Sequence, residues 1–334
     1  MNYNFCTLFD KNYLYKGLAL YNSLRKNCDD FKLFILCMDD ITYDILNRKH
    51  LENVELISLK EFEDEKLLKI KNTRTWAEYC WTCTASLILY LLKKYPNLEM
   101  LTYLDADLYF FSSPTPIFHE LGDDNILITE HNFAPEFKKL VVYGKYNVQF
   151  MVFRNNDEGL RALNWWREKT IDRCYSRKFG KNMQGGDQIY LNDWTTRFNK
   201  VHVLQNVKLC LAPWNVNKYN ISARNGNVYV DDTKLVFYHF HSFEINGLNR
   251  FTLADGAYKI TKNAATLIYK PYIEELQKII KEINAFDNNF KYGIIKRNIN
   301  KKIISFLKKY FYGFYRFQSN FKNKITNFKN KITI

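Results

Sequence analysis

The 334-residue sequence predicts an α/β protein: a mixed, mainly parallel sheet flanked by helices. Over the first 120 residues, short apolar runs alternate with stretches of helical periodicity, the pattern of βαβ units. Hydrophobic residues make up 47% of the chain and aromatics 17%, which fits a globular body rather than disorder. With only 12 glycines and 6 prolines, no linker stands out, so residues 1–270 read as one domain. A connecting helix over 271–290 and a tail over 291–334 follow it.

The alternation places strands near 3–9, 32–38, 54–58, 99–104 and 126–130, with helices near 14–26, 41–49 and 76–95. A strand fits 147–154, followed by a Trp-rich helix over 157–173 and a shorter one over 187–194. Strand-like runs return at 201–204, 227–230 and 235–241, and a helix is expected at 271–284. Met1 leads directly into the strand at Asn4 to Phe9, with no signal-peptide pattern. The longest apolar runs, such as Leu87 to Leu92, are too short to span a bilayer. The expectation is a protein made and kept in the cytosol. Its seven cysteines are scattered, and Cys80-Trp81-Thr82-Cys83 lacks the second ligand pair of a zinc site. They are expected to be reduced core residues.

The formal charge of +14 is local. Residues 291–334 hold twelve of the 49 Lys/Arg and none of the 35 Asp/Glu, so residues 1–290 carry 37 basic against 35 acidic groups. In that tail Ile299, Ile303, Phe306, Tyr310, Phe314, Phe317 and Phe321 recur at helical spacing, with Lys301, Lys302, Lys308, Lys309 and Arg316 largely elsewhere around the helix. Further on, Phe321 to Thr326 repeats as Phe328 to Thr333. A basic, aromatic, amphipathic helix suits an anionic membrane surface. A partner protein or a disordered tail are the alternatives, and no nucleic-acid-binding fold is recognisable.

The chemistry concentrates at Tyr103-Leu104-Asp105-Ala106-Asp107-Leu108-Tyr109-Phe110-Phe111. Two carboxylates ending an apolar strand are costly unless neutralised, and a hard divalent cation does that with oxygen ligands. An incidental strand-end turn is the alternative. Four other places can converge on the pair. Leu8-Phe9-Asp10-Lys11-Asn12-Tyr13 follows the first strand, where α/β folds bind ligands; Asp10 and Asn12 could bond a base or ribose, or Asp10 could cap the next helix. Asn147 enters a strand; Asp187 and Gln188 follow Gly185-Gly186 at a helix start. His239 and His241, two apart on a strand, would share a face as a ligand and a supporting partner.

Together these elements resemble the DxD-containing nucleotide-sugar glycosyltransferases of the GT-A fold, close to the family-8 type of lipopolysaccharide galactosyltransferases and glycogenin. The resemblance covers residues 3–243. It implies a GT-A-type Rossmann-like sheet, with Asp105, Asp107 and His239 or His241 binding Mn²⁺ or Mg²⁺. It also implies Leu8, Asp10, Asn12, Tyr13, Asp105, Ala106 and Asn147 at a nucleotide diphosphate sugar, and Asp187 and Gln188 at the reaction centre. Three departures stand out. Val148-Gln149 replaces the family's Ala-Gly, its Lys-Pro-Trp is missing, and His241 is an extra imidazole. Ala212-Pro213-Trp214-Asn215 carries no assigned role.

The resulting expectation is a metal-dependent, retaining hexosyltransferase that moves a sugar, from a UDP-sugar in the first instance, to a hydroxyl of a saccharide or lipid-linked acceptor. Such an enzyme would serve bacterial surface-polysaccharide, lipooligosaccharide or capsule synthesis, peripheral on the inner face of the cell membrane. A sugar-phosphate nucleotidyltransferase is the rival of the same fold, but residues 5–20 hold only Gly17 where it needs a Gly-rich phosphate loop. A non-catalytic membrane scaffold would explain the tail but not the co-occurring motifs.

Overall fold

The computed structural model describes residues 3–176 and 186–295. The expected amphipathic tail lies outside the described residues from 296 onward, and so does Gly185. The chain through Gly293 forms one compact unit.

Its first half runs β1 (Tyr3–Phe9), α1 (Leu14–Asn27), β2 (Phe31–Cys37), α2 (Asp40–Lys49), β3 (Val54–Ser58), α3 (Leu59–Phe62), α4 (Glu65–Lys71), α5 (Trp76–Lys94), β4 (Met100–Leu104), β5 (Leu108–Phe110) and α6 (Thr115–Leu121). Then come β6 (Ile126–Glu130), a 3₁₀ helix (Pro135–Tyr143), β7 (Tyr146–Arg154) and α7 (Asp157–Asp172). A 3₁₀ turn (Gln188–Asp193) leads into α8 (Trp194–Arg197), β8 (Val201–Val203) and β9 (Cys210–Leu211). The remainder is β10 (Ile221–Arg224), β11 (Asn227–Val230), β12 (Thr233–Lys234), β13 (Phe237–His239), β14 (Glu244–Gly247), β15 (Arg250–Thr252), α9 (Lys262–Ala264), a π turn (Ala265–Tyr269) and α10 (Lys270–Phe286).

Seven strands form the central sheet in the order β3-β2-β1-β4-β7-β6-β8. β3, β2, β1 and β4 are mutually parallel, β7 runs against both its neighbours, and β8 is parallel to β6. Helices cover both faces, so inner strands are buried throughout, as every residue of β7 before Arg154 is. α5 and α7 stack on one face, where Trp166 and Trp194 meet edge to face at 5.6 Å. On α1, a Cβ at Gly17 would stand 2.4 Å from the Phe9 ring, so the helix approaches β1 only because that residue has no side chain. α10 closes over α1 through the 2.6 Å Asn22–Glu275 hydrogen bond.

Local chemistry sets the boundaries. Asp39 caps α2 by accepting from Thr42 N at 2.8 Å, and Thr75 with Glu78 forms a reciprocal capping box at the start of α5. Buried Arg74 donates to the carbonyls of Ile171 and Cys174, tying the end of α7 to α5. The seven cysteines are all free thiols, buried except for half-buried Cys80.

Two predicted elements that bear on the site differ in extent or type. The strand expected over 235–241 ends at His239: Phe240 N makes one more bond in the β5 register, to Asp107 O, and then Phe243 N bonds Phe240 O and Ser242 adopts φ +60 to turn the chain. The helix expected over 187–194 is a 3₁₀ turn followed by the single turn of α8.

Candidate active site

The site is built where the strand order reverses. β1 pairs with β2 on one side and β4 on the other, all parallel, so Asp10 and Asp105 leave adjacent strands at the same edge. That is the crevice in which open α/β sheets bind ligands.

After β4 the chain turns at once. Asp105 N bonds Gln149 O at 2.9 Å, and Leu108 N bonds Asp105 O at 3.1 Å. β5 then pairs antiparallel with β13, setting Leu108 opposite His239, which brings that imidazole to the carboxylates. His239 Nε2 stands 3.1 Å from Asp107 Oδ1 and 3.7 Å from Asp105 Oδ2. One ligand atom from each of the three residues falls within 4.8 Å of the others. Two carboxylates and an imidazole, converging and largely buried, suit a hard divalent cation such as Mn²⁺ or Mg²⁺.

The electrostatics are those of charges held out of water. Burial lifts the Asp105 carboxyl to about 6, with Asp107 pushing the same way against the pull of His239. Burial acts on Asp107 as well, but His239 and Lys16 outweigh it and hold that carboxyl well below the usual range. Burial alone would depress His239, and Asp107 raises it instead. Asp187, buried nearby, is lifted to about 8 by burial and by the Asp105 charge.

Lys16, on α1, is the residue that sequence reasoning missed most plainly. Its ammonium is buried 3.7 Å from Asp107 Oδ2 and lies over the Tyr13 ring. The signal was legible: a single lysine among Leu14, Tyr15, Leu18, Ala19 and Leu20 has to find a buried partner.

The first turn is organised by Asp10. It accepts from Asn12 N at 3.0 Å, from Asn12 Nδ2 at 2.8 Å and from the Trp76 indole at 3.1 Å. α1 therefore starts at Tyr13 without a side-chain cap, and the capping alternative for Asp10 is not what the structure has. Leu8 is buried in β1 behind this turn, and Ala106 is buried between the two aspartates. Tyr13 is half-exposed and close enough to Asp107, Asp105 and Asp10 for their charges to raise its hydroxyl.

Asn147 is buried in β7 and heavily engaged. Its Oδ1 accepts from Gln149 N at 2.7 Å, and its Nδ2 lies 2.8 Å from His131 Nε2. Trp214 and Asn215 both donate to His131 O, which gives the Ala212–Asn215 stretch a framing role. The Trp214 ring also packs edge-on against both His239 and His241. His241 lies past the end of β13 and is exposed; among the described residues the three-residue cluster is completed by His239. Gly186 has φ +67, and a Cβ there would meet the half-exposed Trp81 ring at 3.2 Å. Gln188 turns its amide to Tyr143 O at 3.0 Å.

No family model matches the chain. "Uncharacterized protein YfnD" of Bacillus subtilis (strain 168) is 33% identical over 298 residues, which cover 89% of this chain and 96% of YfnD. "Uncharacterized protein YfnF" of the same organism is 31% identical over 309 residues, covering 89% and 99%. Among solved structures, the galactosyltransferase LgtC in complex with donor and acceptor sugar analogues matches with a TM-score of 0.52 at 13% identity, over 82% of this chain and 95% of LgtC. An active-site mutant of LgtC matches over the same shares, with a TM-score of 0.50 at 14% identity. This likeness shows the GT-A fold.

Proposed function

The chain belongs to the family of YfnD and YfnF, and we propose that it is a metal-dependent glycosyltransferase moving a sugar from a nucleotide diphosphate sugar, a UDP-sugar, to a hydroxyl acceptor. The observation that carries this reading is the meeting of Asp105, Asp107 and His239 at the strand-order reversal, beside the Asp10 turn. The GT-A fold it shares with a donor-bound galactosyltransferase supports it.

Asp105, Asp107 and His239 would hold Mn²⁺ or Mg²⁺, which when bound supplies Lewis-acid neutralisation of the departing diphosphate. The Asp10–Asn12 turn, with Tyr13 and the Trp76 ring beside it, offers hydrogen bonds and aromatic faces to a nucleoside. Asn147 keeps one amide N–H beyond those used by His131, enough to meet a donor-sugar hydroxyl. Asp187, in its protonated form, can donate to a hydroxyl of donor or acceptor, and as a carboxylate it can accept from one. Gln188 is an amide, a poor nucleophile, which favours a retaining front-face route over attack by that side chain.

The acceptor we propose is a saccharide or lipid-linked sugar of bacterial surface polysaccharide, met at the inner face of the membrane. No helix among the described residues is long and apolar enough to cross a membrane. Residues 291–334, with twelve basic and no acidic side chains, would provide surface attachment. Deleting them should abolish flotation with anionic vesicles; a truncated chain that still floats refutes the attachment.

The test of the activity is Mn²⁺-dependent UDP release from a panel of UDP-sugars with saccharide acceptors. Release should vanish in Asp107→Ala. Turnover that survives both that substitution and chelation refutes the metal-dependent reading.

A further inference from the structure

We propose that Gln149 is the positioning residue that fixes the His239 imidazole in its cation-binding tautomer, through a hydrogen-bond relay anchored on the main-chain carbonyl of Asn147. This rests on the reading of Asp105, Asp107 and His239 as a metal centre.

The relay follows from what each group can do. Asn147 O is an acceptor only, and Thr129 Oγ1 lies 3.5 Å from it across the β6–β7 pair, with Thr129 fully buried. The hydroxyl proton therefore points at that carbonyl, and the hydroxyl oxygen is left to accept from Gln149 Nε2 at 3.4 Å. With its NH₂ directed at Thr129, Gln149 presents Oε1 to His239 Nδ1 at 2.8 Å. A carbonyl oxygen there requires a proton on Nδ1. Neutral His239 then carries its lone pair on Nε2, the atom facing Asp105 and Asp107. A flipped amide would place NH₂ against Nδ1 and drive the proton onto Nε2, closing the imidazole to a cation.

The main chain of Gln149 is fixed too. Its N–H goes to Asn147 Oδ1 at 2.7 Å, and its carbonyl accepts from Asp105 N at 2.9 Å. One buried residue of a central strand thus braces two of the three ligands. In the resembled glycosyltransferases this position is the glycine of Asn-Ala-Gly, which has no side chain to act in this way.

The test uses the full-length chain with ¹⁵N-labelled histidine. Long-range ¹H–¹⁵N spectra at alkaline pH read the His239 tautomer, with His239→Gln assigning its signals, and Mn²⁺ titration by electron paramagnetic resonance reads affinity. With Mg²⁺ bound, so that a cation rather than a proton lies between Nε2 and the carboxylates it faces, wild-type protein should show Nδ1–H. Gln149→Met, similar in volume but without an acceptor, should shift His239 toward Nε2–H and weaken Mn²⁺ binding by about 10–100-fold. Gln149→Glu retains an acceptor and should keep the Nδ1–H pattern, whereas Thr129→Val should give a mixture. An unchanged tautomer or unchanged Mn²⁺ affinity in Gln149→Met overturns the proposal. Should that variant fail to fold, a wild-type pattern in Thr129→Val overturns the relay. A wild-type chain that bound no Mn²⁺ would refute the metal centre instead, and the tautomer shift would still decide the part played by Gln149.

Discussion

Lowering the pH should weaken Mn²⁺ binding before it unfolds the protein, by an amount that the buried carboxylates set. Asp105 titrates at about 6, because burial and Asp107 lift it against the attraction of His239. A cation needs its ionised form, so affinity falls by the factor 1 + 10^(pKa − pH). That factor is about 1.1 at pH 7 and about 11 at pH 5, a loss of roughly tenfold or ~1.4 kcal/mol from Asp105 alone. His239, raised above its ordinary value chiefly by Asp107 in spite of burial, must also shed a proton and makes the decline steeper. Asp107, held well below the usual carboxylate range, adds nothing in this window. The stability signs agree. Asp105, Asp187 and His239 all have raised folded-state values, so their contribution is full at low pH and is lost as pH rises through them. The metal-free melting temperature should accordingly fall between pH 5 and 8, and the Mn²⁺-induced rise should grow over the same interval. Calorimetric Mn²⁺ titration at pH 5, 6 and 7, in two buffers of different ionisation enthalpy, measures both affinity and protons released. An affinity that changed less than threefold from pH 7 to 5, with no proton release, would refute the assigned ligands.

Three substitutions test the surroundings. Lys16→Met strands the buried Asp107 carboxylate that the ammonium meets at 3.7 Å, and should cost about 3 kcal/mol in metal-free protein and less with Mn²⁺ present. Equal losses in thermal melts with and without the ion would contradict that pairing. Gly17→Ala places a Cβ 2.4 Å from Phe9 Cε1 and should lower urea stability by about 1–3 kcal/mol; a neutral result would mean that α1 can lift freely from β1. Arg74→Met removes donors to Thr82 and to the Ile171 and Cys174 carbonyls, with an expected loss of about 2–3 kcal/mol in denaturant midpoints, and a change under 1 kcal/mol would argue against the clamp.

The long elements were legible because each carries its own period. β1, β3 and β6 have the expected bounds, while β2, β4 and the long helices α1, α2, α5 and α7 differ by a residue or so. What periodicity could not show was short or non-local. α3 has 4 residues and β5 has 3, too few for a pattern to accumulate. The end of β13 at His239 is set by a local turn, in which Phe243 N bonds Phe240 O and Ser242 takes φ +60, that strand alternation does not register. Strand alternation put both histidines on one face, and their rings do lie 5.7 Å apart, each against Trp214, although His241 stands past the last paired residue of β13.

A motif absent from the sequence does not leave the carboxylate cluster without a lysine or a tryptophan. The sequence lacks the Lys-Pro-Trp of the family it resembles, yet a lysine and a tryptophan both stand at the carboxylate cluster. Lys16 arrives from the first helix and Trp214 from the segment after β9. Ala-Gly becomes Val148-Gln149, and the added amide reaches His239, where a glycine would leave Nδ1 without a side-chain partner from that strand. Each substitution answers a local physical demand: a buried carboxylate needs a cation, and a ligating imidazole needs an acceptor behind it. These demands attach to positions in space rather than to intervals in sequence. Asp105 and Asp107 could be found from their place at the end of an apolar run, and Lys16 from its apolar neighbours, whereas their meeting with Gln149 and His239 emerges only once β1, β4, β7 and β13 are brought side by side.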